Sequence, residues 1–434
     1  MNKYLTALAA TLCIASVTSQ WTIVAPNVGT IATGVAFVNN KTGYLPVAAN
    51  GVGTNVLRSE DGGYTWKPAK EDPFALLLLD VAAFDKNVAV VGALTLQYST
   101  NGGVDFNSSL VLDPGAGQCI RTVGPDTAPI GFAAVGQWGL FTENNGLEVS
   151  FDAGAIYTTV NISNMAASAR YGAFPDDQTW FVAAGDWPGE GSDDNAVDDN
   201  PPLARRHVYA QYGDVVFPEH YMNEVPAGST LAKMQSSRIH LVVTPDNKPM
   251  WAYVKREARV AALTGQPGFG NATTWDAQIA KTSDGGKTWS IVFSRLTSQY
   301  YFNGIECSST SQCCVVGETG DSSDPTGGTY IWCTADGGNT WNETLIDNDP
   351  DSSLTDIGYL SATEFWATGG EFDLFGIAGP KFLQTTDGGM TWNAANVSMA
   401  NQYGIAIDCV VGDTCYANLL DVYTQESSVA KFLA

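Results

Sequence analysis

The chain predicts an all-β fold assembled from repeated four-stranded units, and three observations carry that expectation. One eight-residue pattern recurs along the chain. Turn formers and aromatics are abundant, with 45 Gly and 12 Trp in 434 residues. No long segment places its apolar residues at the 3.6-residue period of a helix. The pattern is clearest as TSDGGKTW (Thr282–Trp289) and returns as TADGGNTW (Thr334–Trp341), TTDGGMTW (Thr385–Trp392) and SEDGGYTW (Ser59–Trp66). Weaker copies are STNGGVDF (Ser99–Phe106) and SFDAGAIY (Ser150–Tyr157).

Each copy is a tight-turn signal. Glycine enters the positive-φ region that short hairpin turns require without a Cβ clash. The Asp carboxylate accepts hydrogen bonds from N–H groups of its own turn. Alternating apolar residues flank each copy, and the Thr-Trp that follows suits a strand. Each copy therefore predicts strand, turn, strand, with an aromatic ring where the second strand begins.

The pattern Ser/Thr-x-Asp-x-Gly-x-Thr-Trp resembles the Asp-box, or BNR repeat, of β-propellers: sialidases, sortilin-like receptors, xyloglucanase-type glycosidases and the photosystem II stability and assembly factor family. The resemblance implies a structural device between the third and fourth strands of a blade, so Asp61, Asp284, Asp336 and Asp387 are not expected to be catalytic.

The copies are spaced by 40, 51, 132, 52 and 51 residues, so a blade takes about fifty residues and the long interval is expected to hold two. A second series marks inner hairpins: TGVAFVNNKTGYLPVAANG, DVAAFDKNVAVVGAL, YGAFPDDQTWFVAAGDW, NGIECSSTSQCCVVGET, DIGYLSATEFWATGGEF and, near the C-terminus, GIAIDCVVGDTCYANLL. No turn pattern follows the last, and QWTIVAP from the N-terminus is expected to supply its missing outer strand. The expected fold is thus a single β-propeller of about eight four-stranded blades, alternatively seven, closed by strands from both chain ends sharing a blade.

Residues 1–19 have the form of a secretory signal: one Lys, an apolar run too short to span a membrane, then small residues. The propeller domain is expected over 20–434, in an extracellular protein. Six N-x-S/T sequons, at Asn40, Asn107, Asn161, Asn271, Asn342 and Asn396, agree with export. The spacings in ECSSTSQCC and DCVVGDTCYA suit cross-hairpin disulfides Cys307–Cys313 and Cys409–Cys415; Cys314 and Cys333 can link neighbouring strands, leaving Cys119. No metal or other cofactor is expected. The net charge of −24 argues against a nucleic-acid partner. Nothing past the signal is apolar for long enough to span a membrane, and a monomer is expected.

Long connections on a rigid scaffold are where function is expected. Four second-to-third-strand connections are long: GDWPGEGSDDNAVDDNPPLARRHV, VKREARVAALTGQPGFGNATTW, GETGDSSDPTGGTY and GGEFDLFGIAGPK. On consecutive blades they would wall one side of one face. Their cations Arg205, Arg206, Lys255, Arg256 and Arg259, with the aromatics Trp187, Trp275 and Phe372, are the candidate binding residues, since Arg and aromatic rings dominate interface anchors.

Two functions compete. A sialidase-like glycoside hydrolase is implied by one branch of the resemblance, which uses an Arg triad, a Tyr–Glu nucleophile and an acid/base. The opening R-I-P motif of that branch is absent; Arg238-Ile239-His240 is the nearest segment. The photosystem II assembly factor branch, a non-enzymatic scaffold, is the more similar in repeat spacing and hairpin form, but its members are directed to a photosynthetic lumen and this chain carries a plain secretory signal. The expectation is a secreted scaffold that binds a protein or glycan, without catalytic residues.

Overall fold

In the computed structural model the described residues run from 20 to 433. Residues 1–19, short stretches such as 50–52, 73–77, 139–143 and 320–327, and most of 187–274 lie outside them. Among the described residues every regular element is a strand.

Five separate sheets of four or five strands follow one another, formed by residues 78–108, 110–161, 169–295, 300–347 and 352–394. The strands at the two ends of the chain merge into one eight-stranded sheet, and residues 230–253 form a small three-stranded sheet. This corrects the expected eight, or alternatively seven, like blades. The arrangement is five self-contained blades completed by one continuous sheet, because the strand Gln20–Ala32 serves two neighbours at once. Its first part pairs antiparallel with Glu426–Leu433, from Gln20 opposite Leu433 to Ala25 opposite Val429. Its end pairs with Gly43–Ala49, Thr30 opposite Ala48.

The 132-residue interval is also corrected. Expected to hold two blades, it holds among the described residues one four-stranded blade and the three-stranded sheet of residues 230–253. Strand Trp180–Asp186 pairs without a register break with Asp276–Thr282, Trp180 opposite Thr282 and Asp186 opposite Asp276. Residues 187–275 are therefore an insertion between the second and third strands of a single blade.

The repeated turns show why their sequence recurs. In Thr282–Trp289 the Thr282 hydroxyl donates to Asp284 Oδ1 at 2.7 Å and accepts from the Gly286 N–H at 3.0 Å. Asp284 accepts from the Thr288 N–H at 2.9 Å and from the Thr288 hydroxyl at 2.7 Å. The indole N–H of Trp289 closes the turn on the Gly286 carbonyl at 3.1 Å. Asp61, Asp336 and Asp387 repeat the same carboxylate bonds. The hydroxyl and backbone N–H of Thr288 and of Thr391 hold Asp284 and Asp387 at about 2, and the backbone N–H and hydroxyl of Thr340 hold Asp336 there, well below the ordinary carboxylate value.

The aromatic of each turn is a wedge between sheets. Trp289 packs, half-buried, on the cluster of Val149, Ile162, Trp180 and Val182, which spans two neighbouring sheets. Trp66, Trp341 and Trp392 take the same place against other interfaces. Three disulfides join Cys307–Cys313, Cys314–Cys333 and Cys409–Cys415. Gly389, at φ +89°, lies over the second of these, and a Cβ there would meet Cys333 Sγ at 2.2 Å.

Candidate binding face and channel

The inner strands surround a central channel, and most carry a β-bulge in their first half, as between Leu78 and Asp80 and between Leu354 and Asp356. A bulge re-aims the side chain that follows it. Asp80 and Asp356 are the residues so placed, and each clamps its blade to the next. Asp80 accepts from its own strand at Val81 N (2.9 Å) and from the next inner strand at Ile120 N (3.0 Å). Asp356 repeats the geometry with Ile357 N (2.9 Å) and Ile407 N (3.1 Å). Asp408 continues it across the chain closure, accepting from Phe37 N at 2.6 Å.

Arg121 ties this ring together. Its guanidinium pairs with Asp80 and lies 3.5 Å from Asp356 Oδ1. The strands carrying Arg121 and Asp356 are not neighbours, so the side chain reaches across the channel and plugs it. Beside the plug is a cavity of about 60 Å³ lined by Arg121, Asp126, Phe174, Glu306 and Tyr359. The Tyr359 hydroxyl bonds to Asp126, and Glu306 accepts from Cys307 N at 2.8 Å. Burial raises Asp356 to about 6 and Asp408 to about 7, outweighing the groups that favour ionisation, and pushes the Cys119 thiol up to about 12. A cavity of this size admits a few waters and not a sugar ring. The carboxylates are bound to backbone amides of adjacent blades, which is blade-joining work. Among the described residues no group of three or more His, Cys, Asp or Glu side chains is arranged to hold a metal ion, and no helix is long and apolar enough to cross a membrane.

The opposite face carries the second-to-third connections. At the base of the insertion Ser168 N donates to both oxygens of Asp186 at 3.2 Å, and Arg170 Nε donates to Gly185 O at 2.7 Å. Arg170 lies 5.7 Å from the Tyr301 ring centre. Trp275, expected as an exposed anchor, is instead 6% exposed and packs edge-on against Tyr301 at 6.4 Å. It fixes the point where the insertion re-enters the blade, because a large ring next to a sheet edge buries most cheaply against the neighbouring blade. The connection GGEFDLFGIAGPK is not a long loop either: strands Phe365–Asp373 and Gly376–Thr385 continue through it, with Phe372 opposite Ile377. Nearby, Lys381 is paired with Asp347 and lies 3.4 Å from Glu371.

Trp187, Arg205, Arg206, Lys255, Arg256 and Arg259 lie outside the described residues, all within the single insertion 187–275. The wall expected from four consecutive blades is thus reduced to one blade's insertion with a shorter connection, 320–327, on the next blade. Of the sequons, Asn40, Asn107, Asn161 and Asn342 are exposed, and Asn271 and Asn396 lie outside the described residues. The sequence reading missed the channel ring. Its one visible trace is the Asp that opens the hairpins DVAAF and DIGYL.

The sequence matches no family model and no curated protein. Solved structures do match. The structure described as YCF48 bound to D1 peptide shares 13% identity over 96% of this chain and 95% of its own, with a TM-score of 0.51. YCF48 from Cyanidioschyzon merolae shares 14% identity over 95% and 98%, with a TM-score of 0.52. At these identities the likeness is one of fold, and the chain is a β-propeller.

Proposed function

We propose that this chain is an exported, non-enzymatic propeller of the Asp-box type that holds a polypeptide partner through the insertion 187–275. One observation carries this reading. The insertion is grafted between strands that already pair directly, so the blade does not need it to form its hydrogen bonds. A segment that long in a sheet that is complete without it has a role other than stability. It also gathers Arg205, Arg206, Lys255, Arg256 and Arg259, in a chain whose acidic residues outnumber Lys and Arg by 45 to 21. Three disulfides support an oxidising compartment, and the described peptide complex of a similar propeller supports a protein ligand over a glycan. Asp80, Asp356 and Asp408, each committed to a backbone amide of the next inner strand, support a binding role over hydrolysis.

The test is a double charge reversal, Arg206→Glu with Arg256→Glu. The variant keeps its melting temperature, while the partner captured by the wild-type protein from its native secretome, identified and purified, no longer binds. Unchanged binding of that purified partner overturns the assignment to the insertion. Release of sialic acid or cleavage of any glycan by the wild-type protein overturns the non-enzymatic reading.

A further inference from the structure

Three exposed sequon asparagines each stand at one end of an outer strand. Asn107 begins the outer strand Asn107–Ser108, Asn342 begins the outer strand Asn342–Asp347, and Asn161 ends the strand Ile156–Asn161. The first two sit in an identical slot, directly after the aromatic of the turn, as Phe106-Asn107 and Trp341-Asn342. Outer strands are the open edges of a propeller, with one row of N–H and C=O groups facing away from the sheet. Such edges invite pairing with strands of other molecules unless they are blunted.

The edges here are blunted unequally. Lys67–Asp72 carries Pro68 and two lysines, a common edge guard. On Ile156–Asn161 the short strand Leu110–Val111 covers only Ile156 and Tyr157, and Asn161 stands at the uncovered end. On Asn342–Asp347, an edge with neither proline nor lysine, Leu345 is 49% exposed. We propose that N-glycans on Asn107, Asn161 and Asn342 cap these outer edges and keep the blades from pairing with strands of other molecules. The inference rests on the exported reading above, because attachment needs a secretory pathway. A glycan at an edge strand's end excludes a pairing chain by its bulk; those on Asn107 and Asn342 stand at the turn end of their strands, away from the connection-bearing face, while Asn161 stands at the other end, opposite Gly146.

The test begins with protein secreted from a eukaryotic host. Glycopeptide mapping is expected to find all three sites occupied. The triple variant Asn107→Gln, Asn161→Gln, Asn342→Gln is then compared with wild type by sedimentation velocity over a concentration series. Self-association is expected to strengthen on the order of tenfold or more, about 1.4 kcal/mol, without change in melting temperature. Adding Leu345→Lys, a charge on the open edge, restores the monomer, and this separates edge pairing from general instability. Asn40→Gln, in a turn and not on an edge, leaves association unchanged. Absence of glycan at every sequon, Asn40 included, overturns the exported reading and the proposal together. Occupied sites with a triple variant as monodisperse as wild type overturn the proposal alone.

Discussion

At Asn101 the turn pattern breaks its own rule and repairs it four residues on. Where other copies place Asp and Thr, this one places Asn101 and Asp105. The Asn101 amide now donates to the Asp105 carboxylate at 3.2 Å, while Asn101 Oδ1 still accepts from the Asp105 N–H at 3.0 Å. Donor and acceptor have changed sides and the turn survives. In the copy around Asp152 the Thr position is taken by Ile156, which has no hydroxyl, so from that position only the backbone N–H still donates to Asp152 Oδ1, at 3.0 Å. The turns were legible in sequence because their bonds lie within eight residues. The degree of burial of the aromatic was not, because it depends on a neighbouring blade. Trp289 is half-buried, so Trp289→Ala is expected to cost about 2–3 kcal/mol, below the range for a fully enclosed Trp, read as a lowered denaturation midpoint. A midpoint equal to wild type would show that the ring does not wedge the two sheets.

Among elements, the pairing of Trp180–Asp186 with Asp276–Thr282 decides most. Hairpins such as Tyr300–Cys307 with Cys313–Thr319 are visible in sequence because a short polar turn joins their strands. A strand whose partner lies beyond the whole 187–275 insertion leaves no local trace, which is why spacing alone suggested two blades there. The same pairing makes a prediction. Replacing residues 188–274 by a short Gly- and Asn-containing turn, with Trp275 kept against Tyr301, is expected to leave the propeller folded. Its melting temperature should stay close to wild type while partner binding is lost. Failure of that variant to fold would mean that the insertion is part of the core.

For the whole molecule, two populations of carboxylates pull stability in opposite directions with pH. The turn aspartates are held at about 2 by their Thr hydroxyl and amide donors, so what they contribute is present above the ordinary value of 3.8 and is lost as pH falls through about 2. In the channel, burial raises Asp356 to about 6 and Asp408 to about 7. Their contribution is complete below 3.8 and is lost as pH rises through those values. Melting temperature is therefore expected to peak near pH 4 and to decline towards pH 8. Asp408→Asn keeps an acceptor for Phe37 N and removes the buried charge. It is expected to stabilise the protein by about 1–3 kcal/mol at pH 8 and hardly at all at pH 4. A flat profile in wild type, or equal effects of the variant at both values, would show that the channel stays hydrated. None of this was readable from the sequence, since Asp80, Arg121, Asp356 and Asp408 come together only when the ring is closed.

That closure also sets a timetable. The strand starting at Gln20 finds its partner in Glu426–Leu433, which leaves the ribosome about 400 residues later. At about 5–20 residues per second that delay is on the order of 20–80 s. Throughout it the earliest strand is made but unpaired along its first stretch, while the intervening blades take shape behind it. The last contact to form spans nearly the whole chain, so its loop-closure entropy is met only once the other blades hold the ends near each other. A nascent chain passing into an export pathway would thus present a waiting edge for most of its synthesis, and a chaperone that shelters that one strand would govern how much protein completes the ring.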